Sequence, residues 1–135
     1  MPFLDEIKDH LVAQGVGVYG SSIFLGSKAL IPLGDGPYLS LVETGGTGAV
    51  RSHNGTPVTR PSAQVLCRAK AINVARAKLK EAFDALGGAQ GLHNVTLGTT
   101  FYQSLVPRQE PTDIGLDVQA RPMVVFNVDA EKEPS

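Results

Sequence analysis

The stretch PSAQVLCRAKAINVARAKLKEAFDALGG, residues 61–88, changes period halfway along. From Ser62 to Lys70 the residues alternate: Ala63, Val65, Cys67 and Ala69 point one way, and Gln64, Leu66, Arg68 and Lys70 the other. That period of two predicts a strand with one face against a core. From residue 71 the spacing becomes three and four. Ile72, Ala75, Leu79, Ala82, Phe83 and Leu86 form one apolar stripe of a helix over 71–86, with Arg76 and Lys80 one turn apart on its exposed side. Gly87-Gly88 then offers the left-handed conformation that ends helices. A strand feeding directly into an amphipathic helix predicts a sheet with helices packed on it.

Outward from this unit, other elements read less sharply. Phe3, Leu4, Ile7 and Leu11 predict a helix over 3–14, with Asp5 and Glu6 in its first turn and Gly15 as its stop. Residues 16–33 mix Gly, Ser and short apolar runs, as extended chain or a short strand would. LGDGP at 33–37 is turn chemistry, and Tyr38 to Glu43 reads as a strand. Val95 to Val106 predicts a long strand rich in Thr, Phe and Tyr. Residues 114–128 predict another, with Ile114, Leu116, Val118, Ala120, Val124, Phe126 and Val128 on one face. Pro122 lacks an N–H, so this second strand is expected at an edge or bent. The fold class is therefore α+β, a mostly antiparallel sheet with two helices, as a single domain over 1–128 and a solvated tail over 129–135.

With 135 residues, 42% of them hydrophobic and 19% charged, the chain has the composition of a soluble globular domain. No apolar run approaches the roughly 20 residues of a membrane span. The opening MPFLDEIKDH is acidic and amphipathic, unlike a signal peptide, so synthesis in the cytosol is expected. A lone cysteine, Cys67, excludes an internal disulfide framework and any Cys-based zinc site. The net charge of −1 hides a division. Residues 51–80 contain seven basic side chains and no acid, and the rest of the chain holds five basic and thirteen acidic ones. Such a chain can meet copies of itself head to tail, or lay a basic strip on an acidic partner.

ETGGTGAVRSHNG, residues 43–55, is the segment where phosphate binding has to be tested. A phosphate loop needs G-x-x-x-x-G-K-[ST] with a helix directly after it. Here Gly48 is followed by Ala49, Val50 and Arg51, and the next regular element is a strand. His10, His53 and His93 stand apart, without a second ligand at metal spacing. Ser21 and Ser22 lie outside any nucleophile elbow, and Cys67 reads as a small core residue. No catalytic, cofactor-binding or metal-binding residue is assigned, and no cofactor is expected. A small nucleic-acid-binding module using the basic segment 51–80 is the competing reading; the segment lacks interleaved aromatics for base stacking. What remains is the 44–60 segment itself, a long loop with no core of its own. Such a segment is expected to order against something else.

Three pieces of sequence carry a resemblance. YLSLVETGG at 38–46, the strand–helix unit at 61–86, and SLVPRQEPTDIGLDVQARPMVVFNV at 104–128, with Pro107, Arg108, Pro111 and Gly115 in its connection, together resemble the tail terminator, or tail-completion (minor capsid), proteins of long-tailed bacteriophages. The likeness spans roughly residues 2–128. It implies a virion protein, not an enzyme, that assembles as a ring, expected to be a homo-hexamer, on the head-proximal end of the tail tube. There it ends tube polymerisation and joins the tail to the head. The implied partners are further copies of the chain, the major tail tube protein and the head–tail connector proteins, with neither a membrane nor a specific nucleic acid. The residues expected to make contacts are Thr44, Arg51, His53, Asn54 and Arg60 in the loop, with Arg76 and Lys80 on the helix.

Overall fold

The computed structural model describes residues 2–26, 36–44, 47–51, 57–116 and 121–133. In chain order these form helix α1 (Pro2–Ala13), strands β1 (Ile23–Leu25), β2 (Tyr38–Glu43), β3 (Thr47–Arg51), β4 (Pro57–Arg60) and β5 (Ser62–Arg68), and helix α2 (Ile72–Ala85). A 3-10 turn (Gly88–Gln90) then leads to β6 (Leu92–Leu97), β7 (Thr100–Pro107), β8 (Thr112–Leu116) and β9 (Pro122–Lys132). The architecture is α+β: one mixed sheet carrying two helices. No helix among the described residues is long and apolar enough to cross a membrane.

β9 is the spine, and its 11 residues serve two rows of strands. At its N-terminal half one row of paired residues reads Ile23, Leu39, Cys67, Val124, Asp113, giving the order β1-β2-β5-β9-β8. At its C-terminal end a second row reads Thr59, Lys132, Tyr102, Val95, giving β4-β9-β7-β6, with β3 paired outside β4. Every pairing between these strands is antiparallel except β1 with β2. MVVF in β9 is continuously apolar because both its faces are covered, Val124 and Phe126 on the helix side and Met123 and Val125 on the other.

The alternation expected in β5 holds. Ala63, Val65 and Cys67 join Val124, Phe126 and Val128 of β9 beneath the helices, where Phe3, Ile7 and Leu11 of α1, Ala75, Leu79 and Phe83 of α2, and Leu86 just past its end close the core. Phe83 meets Phe126 edge to face, with centroids 5.4 Å apart at 86°. On the opposite face Leu66, Met123 and Val125 form a small second cluster against Tyr38. α2 ends as expected, with Gly87 at φ 90°.

Four expectations need correction. The 44–60 segment is not a structureless loop: β3 and β4 form a hairpin, pairing Thr47 with Arg60 and Val50 with Val58 across an irregularity. Its glycines suggested a break, yet strands admit glycine where a bulge bends them. The expected 95–106 strand is parts of two strands, the end of β6 and most of β7, which turn at Gly98-Thr99, where Gly98 has φ 60° and Leu97 pairs with Thr100. The 114–128 strand is also two strands, since β8 folds back on β9 and Leu116 pairs with Pro122. Pro122 opens β9, a position where its missing N–H costs no ladder bond. Finally, the chain does not leave the sheet at 128: β9 continues to Lys132, Ala130 is 2% exposed, and the Lys132 ammonium lies over the Tyr102 ring.

Candidate assembly surface

Ser62 and Asp129 are paired neighbours on β5 and β9, and both alternate with core residues, so they face away from the helices. Around them a cleft of about 580 Å³ opens, lined by Thr44, Arg60, Ser104, Arg108 and Glu131 among others. Thr44 is set there by its backbone N–H, which donates to the Ser62 carbonyl at 2.9 Å. The Arg60 Nε lies 3.3 Å from the Glu131 carboxylate, across the β4–β9 junction.

The centre of the cleft is one network. Ser62 Oγ donates to Asp129 Oδ1 at 2.5 Å, and Arg108 grips the same carboxylate with two bonds, Nε to Oδ2 at 3.0 Å and Nη2 to Oδ1 at 2.9 Å. Arg108 is aimed by its own backbone N–H, which donates to the Asn127 carbonyl at 2.6 Å. Burial alone would raise the Asp129 carboxyl. The hydrogen bonds from Ser62 and Arg108, with the guanidinium charge, outweigh it and hold the group below the usual carboxylate range. A carboxylate so held is a poor general base, and the fork geometry makes it an anchor between β7 and β9.

Several other titratable groups are engaged in local contacts. His10 Nε2 lies 2.8 Å from the Ala85 carbonyl, tying α1 to the end of α2, and His93 Nε2 lies 2.8 Å from the Gln90 carbonyl. Burial pushes the Cys67 thiol up to about 12, with Lys78 lowering and Glu81 raising it. Tyr102, fully buried, donates to Glu6 Oε1 at 2.6 Å. Among the described residues there is no group of three or more His, Cys, Asp or Glu placed to hold a metal ion.

Of the residues expected to make contacts, the structure brings Thr44 and Arg60 together in the cleft. Arg51 ends β3, while His53 and Asn54 lie outside the described residues. Arg76 and Lys80 are on the exposed flank of α2, across the sheet from the cleft, so the expected residues do not form one surface. Nor does the basic segment form one strip among the described residues. Arg68 is buried beside the Tyr38 ring, and Arg60, Lys78 and Lys80 pair with Glu131, Glu81 and Asp84. Sequence reasoning missed Ser62, Ser104, Arg108, Asp129 and Glu131. Arg108 stood in the PRQEP words without a visible partner, because Asp129 is 21 residues away.

Polar groups of this α+β fold anchor its strands and line an open cleft. The chain belongs to the bacteriophage tail terminator protein family, whose model it matches over residues 10–134. It is thus a structural component of a phage virion, with other tail and head proteins as its neighbours. No curated protein matches the chain.

Proposed function

We propose that the protein caps the head-proximal end of the tail tube as a closed, hexameric ring of identical copies. The cap ends tube polymerisation and presents the surface on which the head connector docks. Its partners on this reading are its own copies, the major tail tube protein and the connector proteins, and it has no catalytic role. The acting unit is one domain that extends through Lys132. The family match carries the reading. The cleft supports it, because a concave polar surface flanked by a hairpin suits a protein partner better than a small substrate.

On this reading Thr44, Arg51, His53, Asn54 and Arg60 contact a neighbour or the tube through the hairpin, and Arg76 and Lys80 serve a second surface on α2. The test is charge reversal, Arg51→Glu with Arg60→Glu, in phage deprived of the native protein. Tail lengths by negative-stain microscopy and the yield of joined particles are the readouts. Overlong or headless tails are expected. Tails of native length joined to heads at native yield would remove the hairpin from the contact surface.

A further inference from the structure

Six large apolar side chains stand exposed among the described residues: Val12, Val18, Tyr19, Val74, Ile114 and Leu116. They fall into two groups. Ile114 and Leu116, 48% and 61% exposed, are on β8, all five residues of which are exposed. β8 pairs with β9 at residues that β5 pairs from the other side, so it is one edge of the row β1-β2-β5-β9-β8.

The other four surround the opposite edge. Tyr19 forms a parallel bridge with Ile23, the first residue of β1. Its ring lies under the Lys8 ammonium at 4.6 Å, and Val12 follows Lys8 by one turn of α1. Lys78 of α2 donates to the Val16 carbonyl, and Val74 precedes Lys78 by one turn. Val18, 60% exposed, lies between Val16 and Tyr19.

Lys8 and Lys78 on this edge are balanced by Asp5, Asp9 and Glu81, and the charges near the two edges that lack an ion-pair partner among the described residues divide in the same sense. Glu110 and Asp113, exposed beside and on β8, have no cationic partner among the described residues. Lys70, exposed just before α2, and Arg76, exposed in its first turns on the other flank from Val74, have no carboxylate partner among the described residues. Bare edge strands are templates for another chain, and apolar exposure of this kind marks contact sites.

We infer that the β8 edge of one copy docks against the Val12–Val18–Tyr19–Val74 edge of the next. Two different patches on opposite edges of one sheet make a heterologous contact, which repeats from copy to copy and closes into a ring when the rotation allows. The acids beside β8 and the cations of the α2 stretch set the orientation. The closure rests on the terminator reading above; the contact itself does not.

The test places Val18→Cys and Leu116→Cys in one chain, both at exposed positions, while Cys67 is fully buried and does not compete. A short bis-maleimide is added to the free protein at high concentration and to tail tubes capped by it. The double variant should give a ladder of linked copies, and each single variant only monomer. Adding Glu110→Arg and Asp113→Arg should abolish the ladder, and Lys70→Glu with Arg76→Glu in the same chain should restore it. Linked dimers from Leu116→Cys alone would show a two-fold contact between β8 edges and overturn the proposal. Tubes of native length without a ladder would overturn the contact and leave the terminator reading standing. A ladder with tubes of uncontrolled length would do the reverse, and the absence of both would remove both.

Discussion

Changing Tyr102 to Phe removes a single oxygen from the helix-side core and leaves the ring, with its contact to Phe3 at 6.5 Å, in place. That hydroxyl donates to Glu6 at 2.6 Å and joins β7 to α1 across 96 residues of sequence. Tyr102 is fully buried and Glu6 is 8% exposed, so water cannot readily replace the lost donor. A hydrogen bond to a charged group contributes about 1.5–3 kcal/mol. With roughly 0.28 kcal/mol/K of unfolding entropy for a chain this size, a loss of about 2 kcal/mol lowers Tm by about 7 °C. The pH dependence has a definite sign. Burial first, then the hydrogen bond and charge of Glu6, raise the Tyr102 phenol above its ordinary value. A raised folded value gives stability that is complete below the unfolded value of about 10 and is lost as pH climbs above it. Urea unfolding followed by circular dichroism should therefore show a constant gap between native protein and Tyr102→Phe from about pH 7 to 9, narrowing above about pH 10. A cycle with Glu6→Gln should give coupling above about 0.5 kcal/mol. A variant within about 0.5 kcal/mol of the native protein, or a gap unchanged in alkali, would refute the bond as a stabilising link.

Phe126→Ala should cost about 3–5 kcal/mol in urea unfolding, since the ring is fully buried in β9 against Phe83. Cys67, with its thiol pushed up to about 12, should resist maleimide at pH 8 until the protein unfolds; prompt labelling of the folded protein would contradict its burial. Gly91→Ala should cost more than about 1 kcal/mol. The backbone there has φ 72°, and a Cβ would sit 2.7 Å from the Leu105 carbonyl oxygen. Arg108→Ala should cost less than about 1 kcal/mol at pH 7, because its ion pair with Asp129 is half exposed. Asp129 is held below the usual carboxylate range, so its contribution is present above about pH 4 and lost as pH falls through its folded value. The Arg108→Ala deficit should therefore disappear in acid, as thermal melts across that range would show.

What the sequence alone determined is local. Ile72 to Leu86 can bury one stripe only as a helix, and Ala63 to Ala69 can bury one face only as a strand, because each pattern repeats with the period of its own backbone. α1, α2, β2 and β5 follow from that, as do the buried Cys67 and the α+β class. That Thr44 and Arg60 stay out of the core was also legible, because they are polar residues in a segment with few apolar side chains.

The reversals were decided by tertiary structure. Leu116 of β8 pairs with Pro122 of β9, a position of the same parity, so Leu116 falls in the phase of Val124 and Phe126 and the alternation alone does not reveal the reversal. In the β6–β7 hairpin the phase does shift, since Val95 pairs with Tyr102 and Leu97 with Thr100, but Gly98 alone marks the turn within a run of strand-forming residues. β9 as the shared spine, the Ser62–Asp129–Arg108 network, and the two apolar edges set apart by β2, β5 and β9 exist only once register is fixed. Register comes from pairing between residues far apart in the chain, such as Asp113 with Val124 and Cys67 with Val124, and no local period encodes it.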